Sequence, residues 1–441
     1  MKKWSPLSWQ AYNYQQAPVY PEIGALNTIV DKLNHVPPLV SHGEILRLKT
    51  AIAKAGQGKC FILQGGDCAE SFKDCRAEII TNKLKILLQM SLIMLYGMRK
   101  PIIRVGRIAG QYAKPRSSEW ETIQGITLPS YRGDIVNSPE FTKEARIPNP
   151  KLLLQAYSCS AMTLNFIRAL IEGGFADLQH PQQWNFNFLH LSPQADQYHD
   201  IVKSIAHSLD FLAAIDGLQA SNLSNVDFYT SHEALHLHYE QALTRELQPE
   251  KWYDTSTHLP WVGMRTAQID SAHVEFLRGI QNPIGIKIGS SVNMEELKAL
   301  IAHLNPNHEH GRLMLITRLG HQAIQQHLPQ MIEAIRATKI PVTWSCDPMH
   351  GNTETTAEGI KTRHFDNILS ELLQAVQIHR DMNSVLGGVH FELTGENVTE
   401  CIGGARGLEA TDLSRAYHSL VDPRLNYEQS LEMAMQLSVA K

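Results

Sequence analysis

Two sets of residues in this chain have the types that metal chemistry and anion binding require. The first is a group of metal-ligating side chains: Asp67 and Cys68 in QGGDCAE, Asp347 and His350 in SCDPMHGNT, Glu392 in FELTGEN, and Asp422 in VDPRLN. A thiolate, an imidazole and carboxylates together would make a mixed sulfur, nitrogen and oxygen site, suited to Mn, Fe, Co or Zn rather than to Mg or Ca. The second set is cationic: Arg107, Lys114, Arg116, Arg265, Lys287 and Arg318. Lys287 inside GIKIG and Arg318 after LMLIT end apolar runs, where a cation is withdrawn from bulk water and needs an anion. Phosphate and carboxylate are the natural partners. Each residue also has a plainer reading: Cys68 as a buried thiol, Glu392 as half of a structural ion pair, any one Arg or Lys as a solvated charge. No short motif joins the ligands, so only the fold can bring them together.

The elements that would do so are eight mostly apolar runs: CFILQ (60–64), PIIRV (101–105), DFYTS (227–231), LPWVG (259–263), GIKI (285–288), LMLIT (313–317), PVTWS (341–345) and GVHFEL (388–393). Little strict alternation is seen, as in strands buried on both faces. Helical patterns lie between them at 77–96, 233–247, 271–281, 294–304, 321–337 and 357–380. Eight strands alternating with helices predict an α/β fold, a (β/α)8 TIM barrel spanning 60–441. Residues 1–59 read as an N-terminal extension, and about 119–226 as a long insertion between strands two and three, helical over 152–171 and 196–215. An open doubly wound sheet with an appended domain is the alternative. In a barrel the reacting groups belong at the C-terminal strand ends, where both sets fall.

Composition narrows the function. The 441 residues are 43% hydrophobic and 19% charged, with 40 basic against 44 acidic side chains and a net charge of -4. That balance gives no long-range positive field for nucleic acid or for an anionic membrane, so any anion site is local. The N-terminus MKKWSPLSWQ has no apolar run behind its lysines, and Ile86 to Met98 is too short to span about 30 Å of hydrocarbon. A cytoplasmic protein is expected. Six cysteines without a CxxC pair argue against a disulfide framework and a structural zinc site. GQYAKPRS lacks the Walker pattern, GGARG lacks the rest of a dinucleotide fingerprint, and no GxSxG elbow is present.

QGGDCAE, RVGRIAGQYAKPRS, YRGD, TSHEAL, AHVEFLRGIQNPIGIKIG, WSCDPMHGNT, VHFELTGENVTEC and DPRLN, in this order from about residue 20 to 430, closely resemble the class II (plant-type) 3-deoxy-D-arabino-heptulosonate 7-phosphate (DAHP) synthases. The resemblance implies a transferase that condenses phosphoenolpyruvate with erythrose 4-phosphate, the first step toward chorismate and the aromatic amino acids. It implies Cys68, His350, Glu392 and Asp422 as ligands of a divalent metal, Mn²⁺ or Co²⁺ foremost, with Zn²⁺ or Fe²⁺ next. Arg107, Arg265, Lys287 and Arg318 would clamp phosphoenolpyruvate beside Met264 and Glu233, with Arg107, Lys287 and Glu233 as catalytic groups. Lys114 and Arg116 would hold the second phosphate. A dimer or tetramer and aromatic allosteric effectors are further expectations.

Two departures stand out. The family usually reads WxGERTRQ or WxGDRTRQ where this chain has WVGMRTAQ, so Met264 and Ala267 replace an acidic and a basic residue. Val421 stands where many relatives have Cys beside the metal-binding Asp, which removes a disulfide partner for Cys68. Competing readings are a paralogue with a different acceptor in secondary metabolism, and a catalytically weak regulatory subunit.

Overall fold

Every one of the eight apolar runs forms a strand. In the computed structural model, which describes residues 3–173 and 227–440 with Asp196, Asp200 and Lys203 between them, these are β1 (Phe61–Gly66), β2 (Ile102–Arg107), β3 (Phe228–Glu233), β4 (Leu259–Val262), β5 (Ile284–Gly289), β6 (Leu313–Arg318), β7 (Thr343–Cys346) and β8 (Leu386–Glu392). They close into a parallel barrel in sequence order, β8 pairing with β1. The open sheet is thereby excluded.

Side chains alternate between the barrel interior and the outer helices, with period two along each strand. At the N-terminal end, Ile62, Val105, Tyr229, Leu259, Met314 and Ile316 pack with Leu48, Ile52 and Ala55 of a helix that precedes the barrel. That helix, α2 (His42–Gly56), follows α1 (Ile23–Asn34) and starts at a Ser41/Glu44 capping box. Burial of each large aliphatic side chain contributes about 1.5–3 kcal/mol, so α2 seals the floor and leaves only the C-terminal mouth open. Above this floor the interior turns polar: Gln64 Nε2 donates to Ser231 Oγ at 2.9 Å. Register then sets Gly66 of β1 beside both Glu392 and Arg107. A Cβ on Gly66 would lie 2.6 Å from the Arg107 carbonyl oxygen, so glycine lets the two charged side chains meet there.

The outer layer comprises α3 (Ala77–Met98), α4 (Lys151–Glu172), α5 (Leu237–Leu243), α6 (Ala272–Gly279), α7 (Met294–Leu304), α8 (Ile324–Thr338), α9 (Phe365–Asp381) and α10 (Tyr427–Val439). α3 is long and apolar enough to cross a membrane, yet 72% of its apolar window is buried. It crosses α10 closely because a side chain on Gly97 would collide with Ser438.

Two helical expectations need correction. The stretch 233–247 yields only α5, and the chain then forms a hairpin, Thr244–Gln248 with Lys251–Asp254, whose turn holds Pro249, a residue that could not have carried a helix onward. The stretch 357–380 starts with Lys361–Arg363, which pairs with Thr353–Thr355 around Gly359 at φ +83°, and α9 follows only at Phe365. Within the insertion, α4 matches 152–171 and a hairpin, Trp120–Ile123 with Ile126–Pro129, precedes it. The helix expected at 196–215 lies outside the described residues apart from the positions named above.

Candidate active site

The strand ends converge on a mixed-donor cluster. Cys68 in the turn after β1, Glu392 at the end of β8 and Asp422 in the segment before α10 offer ligand atoms within 4.8 Å of one another. His350, after β7, joins them with Nε2 2.9 Å from Glu392 Oε1. Its Nδ1 lies 2.7 Å from Asp347 Oδ2. A carboxylate on one ring nitrogen fixes the tautomer and frees the other nitrogen to ligate. The thiol of Cys68 and the carboxylates of Glu392 and Asp422, with the His350 imidazole beside them, are donor types that a first-row transition ion takes.

Charge is balanced by cations in this arrangement. Lys114 Nζ sits 2.6 Å from Cys68 Sγ and 2.7 Å from Asp422 Oδ2. Burial, followed by the Glu392 charge, pushes the Cys68 thiol above its ordinary range, with Lys114 opposing. Burial also penalises Glu392, yet His350, Arg363 and Arg107 hold it well below the carboxylate range. A divalent ion among these groups would favour the thiolate outright.

Beside the cluster opens a pocket of about 490 Å³, into which Lys114, Arg116, Glu233, Met264, Arg265, Lys287 and Arg318 project together with His350 and Asp422. Nearly every site residue named from the sequence therefore meets in one place. Lys287 Nζ donates to Asp347 Oδ2 at 2.9 Å and lies 5.7 Å from the Trp261 ring centroid. Burial lowers its pKa, with Asp347 opposing. Arg318 donates to the His350 carbonyl at 2.8 Å and to Met264 Sδ at 2.9 Å. Arg265 is exposed and, among the described residues, forms no ion pair, whereas Arg116 is paired with Glu121 of the hairpin. Glu233 ends β3 with Oε1 buried and without a hydrogen-bond partner. Burial raises its pKa and Lys287 opposes. Gly263 makes room for this carboxylate, since a Cβ there would stand 2.4 Å from Oε1.

Arg107 is more deeply buried than the other cations named for the clamp. It lies beneath the pocket, 2% exposed, and donates to Glu392 Oε1 and the Cys68 carbonyl at 3.0 Å each. Its other terminal nitrogen faces His390 Nε2 at 2.7 Å. Burial, then Lys287 and Arg107, hold the His390 ring neutral, so it accepts this bond.

Asp67 and Asp347, candidate ligands by residue type, are each engaged by neighbouring protein groups. Asp347 holds Lys287 and His350 as described. Asp67 pairs with Lys83 and accepts from Arg424 Nη1 at 2.6 Å, while Arg424 also grips Glu400. Sequence reasoning missed Arg424, Arg363, Lys361 and His390. Arg363 Nη2 lies 2.8 Å from Glu392 Oε2, and Lys361 Nζ lies 3.1 Å from Asp422 Oδ1. His390 was within reach, two residues before Glu392 on the same strand face. The others come from loop and hairpin segments without periodic signal. Val421 packs with Cys68 and Tyr131 in a small apolar cluster, and all six cysteines are free thiols.

Comparison with known proteins identifies the family. The profile of the Class-II DAHP synthetase family matches residues 4–438. A phospho-2-dehydro-3-deoxyheptonate aldolase of Neurospora crassa is 46% identical over 98% of this chain and 93% of its own length. A relative of the same name from Streptomyces coelicolor is 45% identical over 97% of this chain and 95% of its own length. Among solved structures, a phospho-2-dehydro-3-deoxyheptonate aldolase from Francisella tularensis shares the fold with a TM-score of 0.55 at 14% identity, covering 97% of this chain and 98% of that one. A profile match over nearly the whole chain and full-length relatives at this identity establish that the chain belongs to the Class-II DAHP synthetase family.

Proposed function

We propose that this chain condenses phosphoenolpyruvate with erythrose 4-phosphate and water to give DAHP and phosphate, opening the route to chorismate. The observation that carries the reading is the adjacency of a cluster of sulfur, oxygen and nitrogen donors and a pocket of about 490 Å³ lined by lysines and arginines. Two phosphorylated substrates, one also a carboxylate, repel each other, and such a ring is what holds them in a near-attack arrangement.

Arg265, Lys287 and Arg318 would bind phosphoenolpyruvate, with Arg107 fixing Glu392 and the Cys68 turn from below. Lys114 and Arg116 would hold the phosphate of the aldose. Cys68, His350, Glu392 and Asp422 would hold a divalent ion, Mn²⁺ or Co²⁺ foremost and Zn²⁺ or Fe²⁺ next, which when bound supplies Lewis-acid polarisation of the aldehyde. C3 of phosphoenolpyruvate attacks that aldehyde carbon, water adds at C2, and phosphate leaves by C–O cleavage. Glu233 is the group we assign to take the proton of this water, because its buried Oε1 has a free lone pair and cations on its flank. The reaction belongs in the cytoplasm, and exposed Trp120, Ile123 and Ile126 on one hairpin favour self-association.

Met264 and Ala267 near the pocket support one further reading, a paralogue with another acceptor aldehyde or imine. Product analysis decides: purified protein with phosphoenolpyruvate, Mn²⁺ and erythrose 4-phosphate should give a product of the mass of DAHP and one phosphate per phosphoenolpyruvate consumed. Turnover with a different acceptor alone would overturn the assignment.

A further inference from the structure

A second cavity, of about 540 Å³, adjoins the substrate pocket between the loop after β4, strand β5 and helix α7. Its deep walls are apolar, formed by Ile286, Ile288, Leu297 and Leu300, and its rim carries Asp270, Ser291 and Glu296. Lys287 is its one cationic lining residue, and that ammonium is already engaged by Asp347. Among the described residues neither Asp270 nor Glu296 forms an ion pair, and both are exposed at the mouth. Apolar depth beneath an unneutralised acidic rim selects an apolar body that ends in a positive charge. A zwitterion is disfavoured at the mouth, because its carboxylate would meet the carboxylates of Asp270 and Glu296.

Met264 lines both cavities. Its sulfur lies against the bare backbone of Gly289, where a Cβ would be 2.7 Å away, and accepts from Arg318 Nη1 at 2.9 Å. An unbranched thioether side chain has several rotamers at low cost, so a body entering the second cavity would displace it and, with it, its hold on Arg318.

We propose that this cavity binds a small amphipathic ammonium compound, an apolar body bearing a protonated amine, and that Met264 relays its occupation to Arg318 in the substrate pocket. The relay rests on the reading of Arg318 as a phosphoenolpyruvate cation; the binding does not. Calorimetry on the full chain, which needs no turnover, tests both. Phenethylamine should bind saturably, while phenylalanine and 2-phenylethanol bind about tenfold more weakly, and the Asp270→Asn/Glu296→Gln double variant should lose about tenfold. Ser291→Trp and Ala267→Trp, which add bulk at two lining positions, should each abolish binding while circular dichroism stays native. Saturating phenethylamine should shift the Kd for phosphoenolpyruvate at least twofold. Absence of saturable binding, or binding untouched in both tryptophan variants, overturns the site. An unchanged phosphoenolpyruvate Kd with the amine bound overturns the relay and leaves the site standing.

Discussion

Replacing Arg424 with Met should weaken both the fold and the metal site, and the structure gives the size of the effect. Arg424 is 7% exposed and joins two segments that each carry a ligand. Lying two residues beyond Asp422, it donates to Oδ1 of Asp67, the neighbour of Cys68, at 2.6 Å, and to Glu400 Oε2 and Oε1 at 3.0 and 2.8 Å. Removing one partner of a buried ion pair costs about 3–5 kcal/mol, because the other charge is left uncompensated. Here neither carboxylate is abandoned. Asp67 keeps Lys83, and Glu400 keeps the backbone amides of His418, Ser419 and residue 424. The lower end applies, about 3 kcal/mol, with Met filling much of the vacated volume. Loss of such an outer partner should also weaken metal affinity about 10–100-fold. Equilibrium denaturation of the metal-free variant measures the first effect, and competition against a chromogenic chelator measures the second. Adding Asp67→Asn should be strongly non-additive, since both changes cut the same link. A stability loss below about 1 kcal/mol with unchanged metal affinity would refute the argument that this network holds the two ligands in register.

Cys68→Ser replaces a soft thiolate by a hydroxyl that stays protonated, so metal affinity should drop at least about a hundredfold with the fold intact; metal content by mass spectrometry checks it, and a native content removes Cys68 from the ligand set. Glu233→Gln should lower kcat about 10²–10⁴-fold and remove the acid limb of the pH profile, which in the native protein falls above the ordinary carboxylate range because burial raises Glu233. The sign for stability is opposite: a carboxyl raised in the folded state contributes stability below its unfolded value of about 4.3 and loses it as pH rises through the folded value, so at neutral pH the Gln variant should be more stable. Met264→Glu gives Arg318 a carboxylate partner and subtracts one charge from the pocket, so KM for phosphoenolpyruvate should rise several-fold with a smaller change in kcat; an unchanged KM would show that Arg318 does not bind the substrate anion.

Much of the barrel was legible because buried parallel strands announce themselves as apolar runs, and all eight did. The candidate site was legible by the same route: Cys68, Lys287, Arg318, His350 and Glu392 follow or end such runs, so strand position nominated them, while Glu233 entered through the family resemblance. The hairpins at 244–254 and 353–363 were not legible, since their residues fit a helical spacing and only turn chemistry at Pro249 and Gly359 separates the two readings. Residue type alone could not sort Asp67 and Asp347 from the ligand set, because a buried carboxylate serves a cation as readily as a metal. Arg363 and Arg424 were invisible for a different reason. They reach the site from segments whose path is set by tertiary packing rather than by local pattern. Strand-end logic placed Arg107 in the barrel but did not give its partners, Glu392, the Cys68 carbonyl and His390.

The central claim is that the ligand cluster and the cation pocket form one metal-dependent condensing site. Its most direct test follows phosphoenolpyruvate consumption and phosphate release by chelator-treated protein given erythrose 4-phosphate, with and without Mn²⁺ or Co²⁺. The account predicts no turnover without metal and restoration by either ion, with one phosphate released per phosphoenolpyruvate consumed. Full turnover by rigorously metal-free protein, or none with any divalent ion while phosphoenolpyruvate still binds, would contradict it.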